Sequence, residues 1–258
     1  MWTDRDLVVE RYSRSAERGR TIYEFRTPAH DWAAAALDRI DWHPDWVVVD
    51  AGCGLGGYFP SLRRRVPTGT LIGVDLVLAD TRCRFPDVPL TFGDVQALPM
   101  RADSVDVIVC AHMLYHVPNV PAALREFRRV LRPGGHLLAI YDSVIDDQRE
   151  LDELFISSGG TFSLNWLTNT FSIESGSDYL ESVFENVALF VDSPAMLVPL
   201  IDPVIDEIDC LRPVAEPHLA PGVTWPDMLA RASAQVAEII AQDGAFRISE
   251  HKGVFSCR

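Results

Sequence analysis

Apolar positions change their period several times along the chain, and each change marks an element. Trp32, Ala36 and Ile40 recur at i, i+4 and i+8 within the Ala-rich stretch 29–40, which predicts a helix. The β-branched run Trp46-Val47-Val48-Val49 ends in a cluster of glycines, the pattern of a buried strand feeding a tight turn. Residues 57–66 follow as a helix. Residues 70–75, 89–94, 105–111 and 136–142 predict four more strands. Between the last two, Asn119 to Leu131 carries Ala122, Leu124, Phe127, Val130 and Leu131 on a helical stripe, ended by Pro133-Gly134-Gly135. Strands alternating with helices define an α/β chain, doubly wound around a mostly parallel sheet. The alternation becomes irregular over 143–220. Residues 184–192 read as a further strand, Trp225 to Ala241 as a helix, and 246–257 as one long final strand. The expected organisation is a core of residues 1–142 and 181–258, with cap or lid insertions at 143–180 and about 195–225.

Composition narrows the class. The 258 residues allow one large domain or one with an embedded cap. At 48% hydrophobic and 23% charged, the chain has a globular balance. No apolar run reaches the ~18 residues of a membrane span, and the charged start lacks a signal peptide's apolar stretch, so a cytoplasmic protein is expected. Five scattered cysteines without a CxxC pair argue against a disulfide framework and a zinc site. The net charge of −14 is uneven: residues 1–140 hold 17 acidic and 17 basic side chains, residues 141–258 hold 20 and 6. An acidic half disfavours a nucleic-acid partner, because phosphates need neutralising Lys and Arg.

The main chemical clue is Asp50-Ala51-Gly52-Cys53-Gly54-Leu55-Gly56-Gly57. Glycines between a strand and a helix let backbone approach a ligand closely. Gly52, Gly54 and Gly57 also satisfy the GxGxxG fingerprint of dinucleotide sites. Asp50 weighs against a pyrophosphate, which it would repel, and suits a ligand carrying an ammonium and a sulfonium. Asp75 ends the second strand 21 residues after Gly54, where a carboxylate accepts hydrogen bonds from ribose hydroxyls. It fits either cofactor.

Four ordered blocks, VVVDAGCGLGG, LIGVDL, FGDVQALPMRADSVDVIVCAHMLYHV and REFRRVLRPGGHLLAI, resemble the class I S-adenosylmethionine-dependent methyltransferases. FSIESGSDYLESVFENVALF and the ending AFRISEHKGVFSCR resemble a bacterial small-molecule subgroup of the type 11 kind. The resemblance implies a seven-stranded Rossmann-like sheet with an antiparallel last strand, and S-adenosyl-L-methionine as cofactor. It implies that Gly52, Gly54 and Gly56 approach the amino-acid part, and that Asp75, with Leu76 beside it, holds the ribose. Asp94 would accept the adenine amino group, with the Val95 N–H facing the ring; Asp94 also suits a helix N-cap. Ala111, where the subgroup often has Asn, would end the fourth strand beside the cofactor. The N-terminal segment with Tyr12, Arg14, Tyr23 and Arg26 would fold over the cofactor, Arg26 pairing with its carboxylate.

The expected activity is methyl transfer to a small molecule, at N or O, with a secondary-metabolite tailoring step as a candidate role. The alternatives are an RNA base methyltransferase and a non-catalytic cofactor-binding subunit. His116 and Tyr115 are the candidate catalytic pair, after the fourth strand at the carboxyl edge of the sheet. His112 is a candidate substrate contact. His112 and His116 stand four apart like half a metal site, but no third ligand is evident and no metal is expected. Phe162, Trp166 and Phe171, with Phe155 and Tyr179, are expected to wall the acceptor pocket in the lid. The acidic stretch 201–209 reads as a helix with Asp202, Asp206 and Asp209 on one face. A monomer or homodimer without nucleic-acid or membrane partners is expected.

Overall fold

The computed structural model describes residues 21–27, 31–145, 147–163 and 171–258. Its strands are β1 (Arg26–Thr27), β2 (Val47–Ala51), β3 (Thr70–Asp75), β4 (Leu90–Phe92), β5 (Val105–Ala111), β6 (Leu131–Asp142), β7 (Val187–Asp192), β8 (Ala195–Val198), β9 (Phe246–Ser249) and β10 (Lys252–Cys257). Its helices are α1 (Trp32–Leu37), α2 (Phe59–Arg65), α3 (Ala79–Arg84), α4 (Val120–Val130), α5 (Arg149–Ser158), α6 (Gly176–Glu181), α7 (Ile201–Asp209), α8 (Arg212–Ala215) and α9 (Trp225–Asp243).

Seven strands form the main sheet in the order β4-β3-β2-β5-β6-β10-β7. The first five are parallel, and β10 runs antiparallel to both neighbours, as the sequence implied. Side-chain alternation gives each face its own core. Val49, Ile108, Leu137, Ala139, Tyr141 and Phe255 pack under α4 and α6. Val48, Val107, Val109, Leu138, Ile140 and Val254 pack under α1 and α2. Burial on both faces explains why these strands read as nearly unbroken apolar runs. Local chemistry sets the helix ends. Asp31 caps α1 through Ala34 N–H, Asn119 caps α4 through Ala122 N–H, and Thr224 with Asp227 forms a capping box on α9.

The expected final strand over 246–257 is two strands. β9 pairs with β8 in a second, three-stranded sheet of order β1-β8-β9, and β10 enters the main sheet. The ribbon bends where Glu250 N–H donates to Pro194 O at 2.9 Å, so β7 and β8 turn off at the same level as β9 and β10. Proline cannot donate to a ladder, which favours a break there. A separate core lies beyond the bend, where Leu151, Phe155, Met196, Ile208, Trp225, Met228 and Ile248 pack together. The sequence placed α9 and β9 with the main sheet; their packing puts them with α5 and α7 in this cap. Among the described residues, no helix is long and apolar enough to cross a membrane.

Candidate active site

The parallel strands lead to one cavity. The chain runs outward from β2 to β3 and β4 on one side and resumes at β5 on the other. The crevice at that switch point, outside the carboxyl ends of the strands, is where such sheets bind ligands. A cavity of about 340 Å³ lies there, lined by Asp50, Gly52, Gly54, Gly57, Asp75, Leu76, Asp94, Val95, Ala111, His112 and His116 among others.

Backbone geometry shapes its floor. Gly52 and Cys53 both donate N–H to Val74 O, at 2.8 and 3.1 Å, tying the loop to β3. Gly52 and Gly54 have φ of 76° and 49°. A Cβ on Gly54 would meet nothing within 4 Å, so its open side faces the cavity. Gly56, expected on the cofactor, serves the fold instead: a Cβ there would lie 2.7 Å from Phe59 and 2.8 Å from Phe85, and Gly56 does not line the cavity.

Three carboxylates ring the loop. Asp75 accepts N–H from Gly54 and Val77 at 2.8 and 2.9 Å; burial raises its pKa and these donors oppose the rise. Each of its oxygens can accept a further hydrogen bond, and Asp75 lines the cavity. Asp94 accepts the Gln96 N–H at 2.9 Å, so it caps its own turn while it lines the cavity. Asp50 is buried, and its Oδ2 has no hydrogen-bond partner among the described residues. Burial, reinforced by the Asp75 charge, pushes its carboxyl up to about 7. The lining holds no Lys or Arg among the described residues. An orphaned buried carboxylate in an acid-ringed cradle fits a cofactor that brings positive charge, and it disfavours a pyrophosphate.

Beyond β5 the chain turns sharply. Tyr141, buried on β6, accepts the Leu114 N–H at 2.9 Å and anchors the turn that carries His112 and His116. Tyr115 is not on the cavity lining; it packs edge-on against His116 and Tyr141. His112 Nδ1 lies 3.3 Å from Asp142 Oδ2. Lys252 Nζ lies 3.0 Å from Asp142 Oδ1 and 3.1 Å from Glu250 Oε1. Arg26, expected on the cofactor carboxylate, is away from the lining: its Nε and Nη2 reach Glu250 at 2.5 and 2.7 Å. Burial alone would raise Asp142, but the Lys252 ammonium and His112 outweigh it and hold the carboxyl below its ordinary range.

The lid aromatics do not converge. Phe171 is 1% exposed in the main core, against Tyr141 and Phe255, so it is core and not pocket wall. Phe155 lies in the cap core, and Phe162 stacks on His218. Tyr12, Arg14 and Trp166 lie outside the described residues. The sequence reading missed Tyr58, Thr81, Met113 and Val117 on the lining. Thr81 donates its hydroxyl to Gly54 O, a contact 27 residues long for which no spacing rule gives a signal.

The fold is an α/β, mostly parallel sheet with an acid-lined cavity at its switch point. The methyltransferase-domain family model matches residues 49–139 of this chain. A 37.1 kDa protein of unknown role in a Streptomyces fradiae transposon is 34% identical over 134 residues, 48% of this chain and 39% of that one. A demethylmenaquinone methyltransferase of Staphylococcus aureus is 32% identical over 143 residues, 53% of this chain and 59% of that one. The alignments thus span 39% to 59% of these relatives' lengths. A candidate methyltransferase of an antibiotic biosynthesis pathway in Anabaena variabilis shares the fold with a TM-score of 0.62, at 14% identity, over 88% of this chain and 96% of that one.

Proposed function

We propose that the protein transfers the methyl group of S-adenosylmethionine to a small-molecule acceptor. The observation that carries this reading is the buried, unpartnered Asp50 Oδ2 beside an open glycine loop. Gly52 and Gly54 give the methionine part its backbone contacts, and Asp50 takes the ammonium. Asp75 receives the ribose hydroxyls, and Asp94 with the Val95 N–H receives the adenine. Ala111 leaves room beside the sulfonium.

When bound, the cofactor supplies an activated methyl group open to in-line displacement. The chain's own work is alignment and exclusion of water. The Tyr141-anchored turn presents His112 and His116 to the same cavity as the glycine loop, so the acceptor enters between them. The cap then selects the acceptor, since irregular segments at this edge of the sheet commonly carry specificity. The relatives' small-molecule activities and the shortage of basic residues beyond 140 favour a small acceptor over RNA. The five cysteines are unpaired, which suits a reducing compartment such as the cytoplasm.

Calorimetry tests the cofactor assignment. S-adenosylhomocysteine should bind and NAD should not. Binding of NAD without adenosylhomocysteine would refute the reading. A screen with methyl-labelled cofactor then identifies the acceptor.

A further inference from the structure

His112 has φ of 51°, the left-handed region that non-glycine residues seldom occupy. Such strain persists where surrounding structure enforces it, and it clusters at functional sites. Here the enforcement is visible. His112 N–H donates to Ile140 O at 3.0 Å, and Tyr141 holds the next residues of the turn. The ring is thereby placed on the cavity lining and its Nδ1 beside Asp142, which leaves Nε2 for a ligand.

Charges alternate behind it. Arg26 pairs with Glu250, Glu250 with Lys252, Lys252 with Asp142, and Asp142 faces His112. Lys252 and the imidazole share Asp142, Nζ at its Oδ1 and Nδ1 at its Oδ2. An imidazolium formed at the ring still meets a carboxylate at Nδ1. That is the electrostatic arrangement of a proton acceptor.

We propose that His112 is the catalytic base of the transfer and that the acceptor is a hydroxyl group; both statements rest on the methyltransferase reading above. The acceptor's lone pair forms the O–CH3 bond while the S–CH3 bond breaks, and the bonding pair stays on the sulfur of the neutral thioether. The acceptor's proton passes to His112 Nε2, and Asp142 positions the ring through Nδ1–H. An amine attacks through its neutral lone pair and sheds its extra proton afterwards. A neutral hydroxyl would become an oxonium, so it needs a base in the same step. A base built into the lining meets that need.

The titratable and charged groups around His112 are Asp142 and Tyr141 on β6, Lys252 on β10, Glu250 in the bend before it, and Asp147 in the loop after β6. Tyr58 and Asp50 line the same cavity, and His116 shares the turn. Asp147 is buried, and burial with the nearby Asp142 charge pushes its carboxyl well above the usual range.

The test uses the full chain and two readouts. Nitrogen NMR of the adenosylhomocysteine complex at pH 8 should show His112 neutral, with the proton on Nδ1 and Nε2 bare. An imidazolium, or a proton on Nε2, overturns the proposal. Methyl transfer to a broad panel of phenols and alcohols is then compared with transfer to amines. His112→Asn keeps a residue that tolerates the left-handed backbone. It should lose about 100-fold or more in kcat, with the affinity for adenosylhomocysteine unchanged within about two-fold. The loss should shrink for more acidic phenols and at higher pH. Transfer to amines alone, transfer to no hydroxyl, or a variant as active as the parent overturns it. Adenosylhomocysteine that fails to bind the parent chain refutes the methyltransferase reading itself, which separates the two failures.

Discussion

Asp50 is a residue whose burial costs stability. Its carboxyl sits near 7 in the fold against an ordinary 3.8, because burial and the Asp75 charge disfavour ionisation. The folded state therefore binds more protons than the unfolded state between about pH 4 and 7, and stability falls as pH rises through that window. The loss is roughly 4 kcal/mol at most. Asp50→Asn should melt several degrees higher than the parent at pH 8, with the gain gone near pH 4, where Asp50 is protonated in both states. The same variant should bind adenosylhomocysteine at least about ten-fold more weakly, through loss of an ion pair. Thermal melts at the two pH values check the first claim, and an equal difference at both would refute it. Asp50 was legible in the sequence because it adjoins the glycines. His112 was legible only as a residue near the site, since Asp142 and Lys252 lie far along the chain and no local period connects them.

At the level of elements, the glycine loop divides its labour. Gly54 opens onto the cavity, whereas Gly56 is pressed against Phe59 and Phe85. Gly54→Ala should cost about 1–2 kcal/mol from the left-handed backbone alone and should abolish adenosylhomocysteine binding, because its Cβ enters the space of the ligand. Gly56→Ala adds a clash with two rings and should cost more, roughly 2–4 kcal/mol. Chemical denaturation and calorimetry on the two variants separate the roles; a Gly54→Ala protein that binds normally would remove that glycine from the cofactor site. The strands were legible because burial on both faces leaves unbroken apolar runs. The bend at Glu250 was not, because alternation continues across it and a strand that changes sheets keeps its period of two. Pro194, which marks the bend on the neighbouring ribbon, is 56 residues away in sequence.

The described residues pack into the two cores of the main sheet and a separate core shared by α5, α7, α9 and the small sheet. Aromatic residues between 155 and 179 read as one group in the sequence, yet packing sends Phe155 to the cap core and Phe171 to the sheet core. A cluster in sequence fixes composition, not destination, because the chain crosses from one core to another within those residues. Phe171→Ala should therefore lower stability by about 3–5 kcal/mol, by opening a cavity under β6 and β10, while a variant that remains folded keeps its adenosylhomocysteine affinity. Denaturant melts and calorimetry decide this, and a fully stable variant with lost turnover would return Phe171 to the acceptor site.

The position of β10 between β6 and β7 has a consequence for how the chain is made. Every ladder contact of β7 in the main sheet runs through Lys252–Cys257, which leave the ribosome after every other described strand. Until they emerge, β7 has no neighbour and β6 presents an open edge. From residue 192 to residue 252 the growing chain thus carries β6 with an open edge and β7 unpaired, and the insertion of β10 pairs both. A chain stalled before residue 252 cannot pass as a finished one: its exposed edges mark it for chaperones and proteases.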